Sequence, residues 1–151
     1  MLSLLGRPKS RPRKDIVGKN YVDIENDNGE TLRYRKHING RGLVAHGAKV
    51  HPDARVESGA YIEPGVRIAA GATIAKGAWI EPNVQIGTGA IIDAGAHVGA
   101  GAAIGARAHV GIRSMIGAEA LVADGAIIRD DEKIATGARI KTDRRGFRLA
   151  A

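Results

Sequence analysis

An aliphatic residue at every sixth position leaves this chain few folds to adopt. Val44, Val50, Val56, Ile62, Ile68, Ile74, Ile80, Ile86, Ile92, Val98, Ile104, Val110, Ile116, Val122, Ile128, Ile134 and Ile140 recur without one insertion or slip. A fixed short period is the mark of a stacked repeat, in which each unit buries its apolar side only against its neighbours. Two residues before each aliphatic the position is nearly always small, as at Ala48, Ala54, Ala60, Ala72, Ala90, Ala108 and Ala126. An alanine and a β-branched residue two apart point to the same side of an extended chain. Three residues before the aliphatic, thirteen of the seventeen positions are Gly, Asn or Asp, the types that tolerate a left-handed backbone at a corner. Each hexad reads as a short strand and a turn. With 21 glycines and only 3% aromatics, the core is narrow and lined by small and β-branched side chains.

An aliphatic followed by glycine and four variable residues occurs at Ile86-Gly87, Val98-Gly99, Ile104-Gly105, Val110-Gly111 and Ile116-Gly117. This pattern resembles the bacterial transferase hexapeptide family, over roughly residues 42–141. The resemblance implies an all-β fold, a left-handed parallel β-helix of three hexads per coil, and a homotrimer. Handedness comes from the resemblance alone, because a period of six does not encode it and left-handed crossovers run against the usual rule for parallel strands.

The flanks read differently. Residues 1–20 form a basic, proline-broken arm carrying Arg7, Lys9, Arg11, Arg13 and Lys14, with little to pack. Residues 21–41 read as a β-hairpin whose register pairs Val22 with Tyr34, Asp23 with Arg33 and Ile24 with Leu32. That register puts apolar side chains on one face and an ion pair on the other. Residues 142–151 form a basic tail. The net charge of +7 sits at the two ends, +5 in residues 1–20 and +3 in residues 129–151, while residues 43–128 carry six basic and seven acidic side chains. A continuous basic stripe of the kind a nucleic-acid groove binder needs is absent from the repeat. The apolar opening Met1 to Leu5 is too short for a signal-peptide core or a membrane span, so the expected setting is cytoplasmic, either free or assembled into a particle.

Three hexads per coil place residues eighteen apart in one outward column. The position before the aliphatic gives Leu43, Tyr61, Trp79, His97, Met115 and Lys133 on face one, Lys49, Arg67, Gln85, Ala103, Leu121 and Arg139 on face two, and Ile91, His109 and Ile127 on face three. Outward apolar ladders mark contact surfaces, so Leu43, Tyr61, Trp79, His97, Met115, Ile91 and Ile127 are the expected trimer or docking interface. By the resemblance, a histidine acts as general base in a cleft between subunits, with acyl-CoA along the solenoid. His109 is the first candidate, because Arg107, Arg113 and Glu119 replace the usual corner residues around it, and His97 is the second. Family enzymes also carry an extruded loop, a proline-containing basic motif after the last coil and often a C-terminal helix. This chain lacks such an insertion and has only a weak echo of the motif at Gly137-Ala138-Arg139-Ile140-Lys141. Carbonic anhydrases of related fold use three histidines including a close pair, and the twelve residues between His97 and His109 put those two on different faces, so a metal site is not expected.

The reading that follows is a non-catalytic structural trimer without cofactor, a rigid spacer or decoration element of a larger assembly such as a virion, attached through its N-terminal arm. The alternative is an acyltransferase of the hexapeptide family using acetyl-CoA or another acyl-CoA. A weaker alternative is a nucleic-acid-binding trimer that uses its basic ends.

Overall fold

The computed structural model describes residues 21–25 and 28–142, together with the backbone of 148–150. Two antiparallel strands, β1 (Tyr21–Glu25) and β2 (Thr31–Lys36), are followed by seventeen short strands from β3 (Leu43–Ala45) to β19 (Arg139–Thr142), and by β20 (Arg148–Ala150). Every strand from Leu43 to Val122 pairs in parallel with the strand eighteen residues further on, Trp79 with His97 and Ile91 with His109 among them. The stack closes three sheets, with six solenoid rungs on faces one and two and five on face three. This is the left-handed parallel β-helix class expected from the hexad. At about 4.7–4.9 Å per rung, it is a rod roughly 27 Å long. Among the described residues no helix is long and apolar enough to cross a membrane.

The core is the periodic set itself. Val44, Val56, Ile62, Ile74, Ile80, Ile92, Val98, Val110 and the alanines two residues before them are excluded from solvent. Ser114 stands at one of the alanine positions, fully buried, and its hydroxyl donates to the Gly111 carbonyl at 2.7 Å, so that no polar group is left unsatisfied there.

Glycine serves two separate purposes. Corner glycines such as Gly95 and Gly101 have φ near +72°, which costs glycine nothing. The glycine after the aliphatic has ordinary dihedrals, but a Cβ at Gly105 would lie 2.4 Å from the backbone nitrogen of Asp124 in the next coil. Close approach of successive coils, rather than chain reversal, selects glycine there. The corners named as lapses keep the same backbone: Arg107, Arg113 and Glu119 all have φ between 58° and 63°. The repeat imposes the left-handed corner whatever side chain occupies it, and of the Gly, Asn and Asp corners only Asp53 lacks a positive φ.

The hairpin has the expected register, with Val22 opposite Tyr34, Asp23 opposite Arg33 and Ile24 opposite Leu32. Arg33 pairs with Asp23 at 2.9 Å. Strand β2 continues antiparallel onto β3, so the hairpin extends sheet one. Its apolar side, Ile24 and Tyr34, packs with Leu43, Ala45 and Tyr61. The upper part of the face-one column is therefore covered by the chain's own hairpin. At the other end β20 adds antiparallel to β19 on face two, within the segment read as a basic tail. Residues 1–20, with Arg7, Lys9, Arg11, Arg13 and Lys14, lie outside the described residues.

Candidate active site

In-register stacking sets residue i beneath residue i+18, so the residue after one aliphatic lies diagonally beside the outward residue of the next coil, sixteen positions on. At three such diagonals a carboxylate meets a ring. Glu63 accepts from the Trp79 indole N–H at 2.8 Å, Glu81 pairs with His97, and Asp93 pairs with His109 at 2.8 Å. These three acidic residues stand at a position where the repeat most often places glycine or alanine.

His109 projects from face three between Ile91 and Ile127, its strand neighbours on either side. Its side chain is 43% exposed, and both isoleucines are exposed as well. The Asp93 carboxylate takes the Nε2–H, which fixes the ring and selects the tautomer whose Nδ1 carries a free lone pair. Among the described residues nothing bonds to Nδ1. A neutral, oriented imidazole with an open acceptor nitrogen can remove a proton from a hydroxyl or amine, and the carboxylate stabilises the imidazolium that results.

His97 is built into a longer network. Its ring stacks on Trp79 with centroids 4.6 Å apart and planes 5° from parallel. Glu63, which holds the Trp79 indole, also accepts from the Tyr34 hydroxyl at 2.6 Å. Burial raises the Tyr34 phenol above its ordinary range, and the bond to Glu63 raises it further, so it remains a donor at any physiological pH. The string from Tyr34 through Glu63, Trp79 and His97 to Glu81 ties the hairpin to the second, third and fourth rungs of face one.

Leu43, Tyr61, Trp79, His97 and Met115 thus share one sheet in register, and Ile91, His109 and Ile127 share another. One protomer does not bring the two columns together. Sequence reasoning missed Asp93, Glu81 and Glu63. The spacing of sixteen that pairs each with a ring was available to it, but columns were compared only at eighteen. Among the described residues no three His, Asp or Glu side chains converge as a metal site would require.

The fold matches solved acetyltransferases. The acetyltransferase domain of PglB from Neisseria gonorrhoeae, solved in complex with acetyl coenzyme A, superposes with a TM-score of 0.51 at 19% identity, over 65% of this chain and 53% of that one. This chain therefore spans about half the length of that domain. A putative acetyltransferase from Bacillus cereus superposes at 0.51 with 14% identity, over 72% and 75% of the two chains. No curated protein matches in sequence. These likenesses overturn the expectation of a non-catalytic spacer or virion decoration element. Both of these solved proteins share the coil and are described as acetyltransferases. The family described as bacterial transferase hexapeptide (six repeats) matches residues 71–106, a segment that holds Asp93, His97 and the signature glycines Gly87, Gly99 and Gly105, and over that stretch the repeat is similar to that family.

Proposed function

We propose that the protein is an acyl-CoA-dependent acyltransferase with His109 as general base, working as a homotrimer. The observation that carries this reading is the Asp93–His109 pair at 2.8 Å, which leaves Nδ1 open on a solvent-facing sheet. Nδ1 takes the proton from an acceptor hydroxyl or amine as its oxygen or nitrogen attacks the thioester carbonyl. The C–S bond of the tetrahedral intermediate then breaks, and the imidazolium gives its proton to the departing CoA thiolate. Asp93 holds the ring through both transfers and offsets its transient positive charge.

The exposed Ile91 and Ile127 beside His109, and the exposed Trp79 and Met115 on face one, are apolar surface that a neighbouring subunit would cover. Such packing would place His109 in a cleft screened from water. Acetyl-CoA incubated with a panel of sugars, amines and antibiotics should release free CoA thiol with at least one acceptor. His109→Ala should lower that rate by about 10²–10⁴-fold, the usual contribution of a positioned base. Light scattering should return three times the protomer mass. A chain that neither binds acetyl-CoA by calorimetry nor transfers acetyl groups, or one in which His109→Ala is fully active, would remove this reading.

A further inference from the structure

On face two the diagonal that supplies carboxylates elsewhere supplies none. The residue sixteen before Arg67 is His51, and the one sixteen before Gln85 is Ala69. Lys49 and Arg67 are strand partners in direct register, with Gln85 the next partner beyond Arg67. Like charges placed directly opposite on adjacent strands are destabilising, and among the described residues neither cation has an ion-pair partner. Both line a groove of about 1000 Å³ that runs down face two. Arg35 and His51 join them at its N-terminal end, Gln85, Ala103 and Leu121 continue the outward column along it, and no Asp or Glu lines it. A second recess of about 370 Å³ opens beside the same column and is lined by Gly47, Lys49, Gly65, Arg67, Asn83 and Gln85. Gly65 is favoured there by its left-handed φ of +80°.

We infer that Arg35, Lys49 and Arg67, with Gln85, form a binding site for a phosphate or diphosphate at one end of an elongated small molecule whose apolar body lies along the groove. The repulsion between stacked cations is relieved when an anion sits between them. The bidentate guanidinium of Arg67 and the point charge of Lys49 are the usual pair for phosphate oxygens. The body would run over Ala103 toward Leu121, four rungs or roughly 19 Å from Lys49. The site lies on a different face from His109 and does not depend on turnover.

Calorimetric titration with inorganic pyrophosphate at low ionic strength tests it. The wild-type chain should bind, and Arg67→Gln should bind at least tenfold more weakly while melting no lower than wild type, since the in-register repulsion is gone. Lys76→Gln, which removes one exposed positive charge on another edge of the rod, should bind as wild type does. Failure of the wild type to bind, equal affinity in Arg67→Gln, or equal weakening in Lys76→Gln would overturn the site. A second copy of the chain seated over the groove would show itself as absent pyrophosphate binding and would overturn it too. Competition assigns the source of the phosphate. Displacement of pyrophosphate by acetyl-CoA identifies the donor's phosphates, and retention identifies those of another ligand. His109→Ala should keep full pyrophosphate affinity, so loss of the acyltransferase reading and loss of this site are separately visible.

Discussion

His97 and His109 are made from the same parts and are held in different ways. Each stands before a buried valine, each has a carboxylate sixteen residues earlier, and each donates Nε2–H to it. His97 lies between two glycine corners, Gly95 and Gly101, and stacks on Trp79, whose indole is fixed by Glu63. His109 lies between Arg107 and Arg113, both in the left-handed conformation that costs a non-glycine residue about 1–2 kcal/mol, and its neighbours Ile91 and Ile127 leave the ring uncovered. One histidine has a rigid support, whereas the other has a local conformational cost and an open nitrogen. The same diagonal contact therefore serves structure on face one and is available for chemistry on face three.

The largest expected effect separates the two pairs by turnover. A charge-assisted hydrogen bond contributes about 1.5–3 kcal/mol. If that orientation is felt in the transition state, Asp93→Asn should slow acyl transfer by roughly 10- to 100-fold, with the loss in kcat rather than KM. Glu81→Gln should leave kcat within about twofold and lower the melting temperature instead, because only the face-one network depends on it. Equal losses of kcat in the two variants would erase the distinction between the histidines.

Next in size is the support itself. Aromatic stacking contributes about 0.5–1.5 kcal/mol beyond buried area, and the Trp79 indole also satisfies Glu63. Trp79→Ala should cost about 1–2 kcal/mol in chemical denaturation. Ile127→Ala, beside His109 with nothing stacked on it, should stay within about 0.5 kcal/mol in the isolated protomer, as exposed positions usually do. Comparable costs at both positions would mean that His109 is as firmly braced as His97.

How far these features could be read in advance follows from what the repeat encodes. The period of six prescribes the inward residues, the eighteen-residue columns and the hairpin register, because one buried side chain per strand leaves no freedom to slip. It also led to Arg107, Arg113 and Glu119, but for a different reason than the one that matters. A break in residue type suggested a break in backbone, yet stacking between coils holds the corner left-handed regardless. What the columns could not display was any contact between different columns. Asp93 is invisible beside His109 at a spacing of eighteen and obvious at sixteen, and the carboxylate-free wall behind Lys49 and Arg67 emerges only from the same diagonal. The missing loop and weak terminal motif favoured a passive rod because they are properties of whole enzymes, whereas a proton-transfer pair needs only two side chains on adjacent rungs.

The smallest effect tests whether the corners around His109 are in fact costly. Arg107→Gly removes the left-handed penalty of about 1–2 kcal/mol and adds about 0.5–1 kcal/mol of chain entropy in the unfolded state. The net should be a gain between about 0 and 1.5 kcal/mol, since Arg107 has no ion-pair partner among the described residues. Arg113→Gly relieves the same strain but also removes the two hydrogen bonds to Asp131, at 2.8 and 3.0 Å, and should gain less. The difference depends on pH. The Arg113 guanidinium holds the Asp131 carboxyl below its ordinary value, chiefly by hydrogen bonding and against a weaker effect of desolvation. A carboxyl depressed in the folded state stabilises the fold fully above its unfolded pKa, and that contribution is lost as pH falls through the folded value. The melting temperatures of Arg107→Gly and Arg113→Gly should therefore be furthest apart near neutrality and converge in acid. A gap that persisted unchanged below the carboxylate range would mean that backbone strain at the two corners, rather than the ion pair, distinguishes the two sides of the His109 strand.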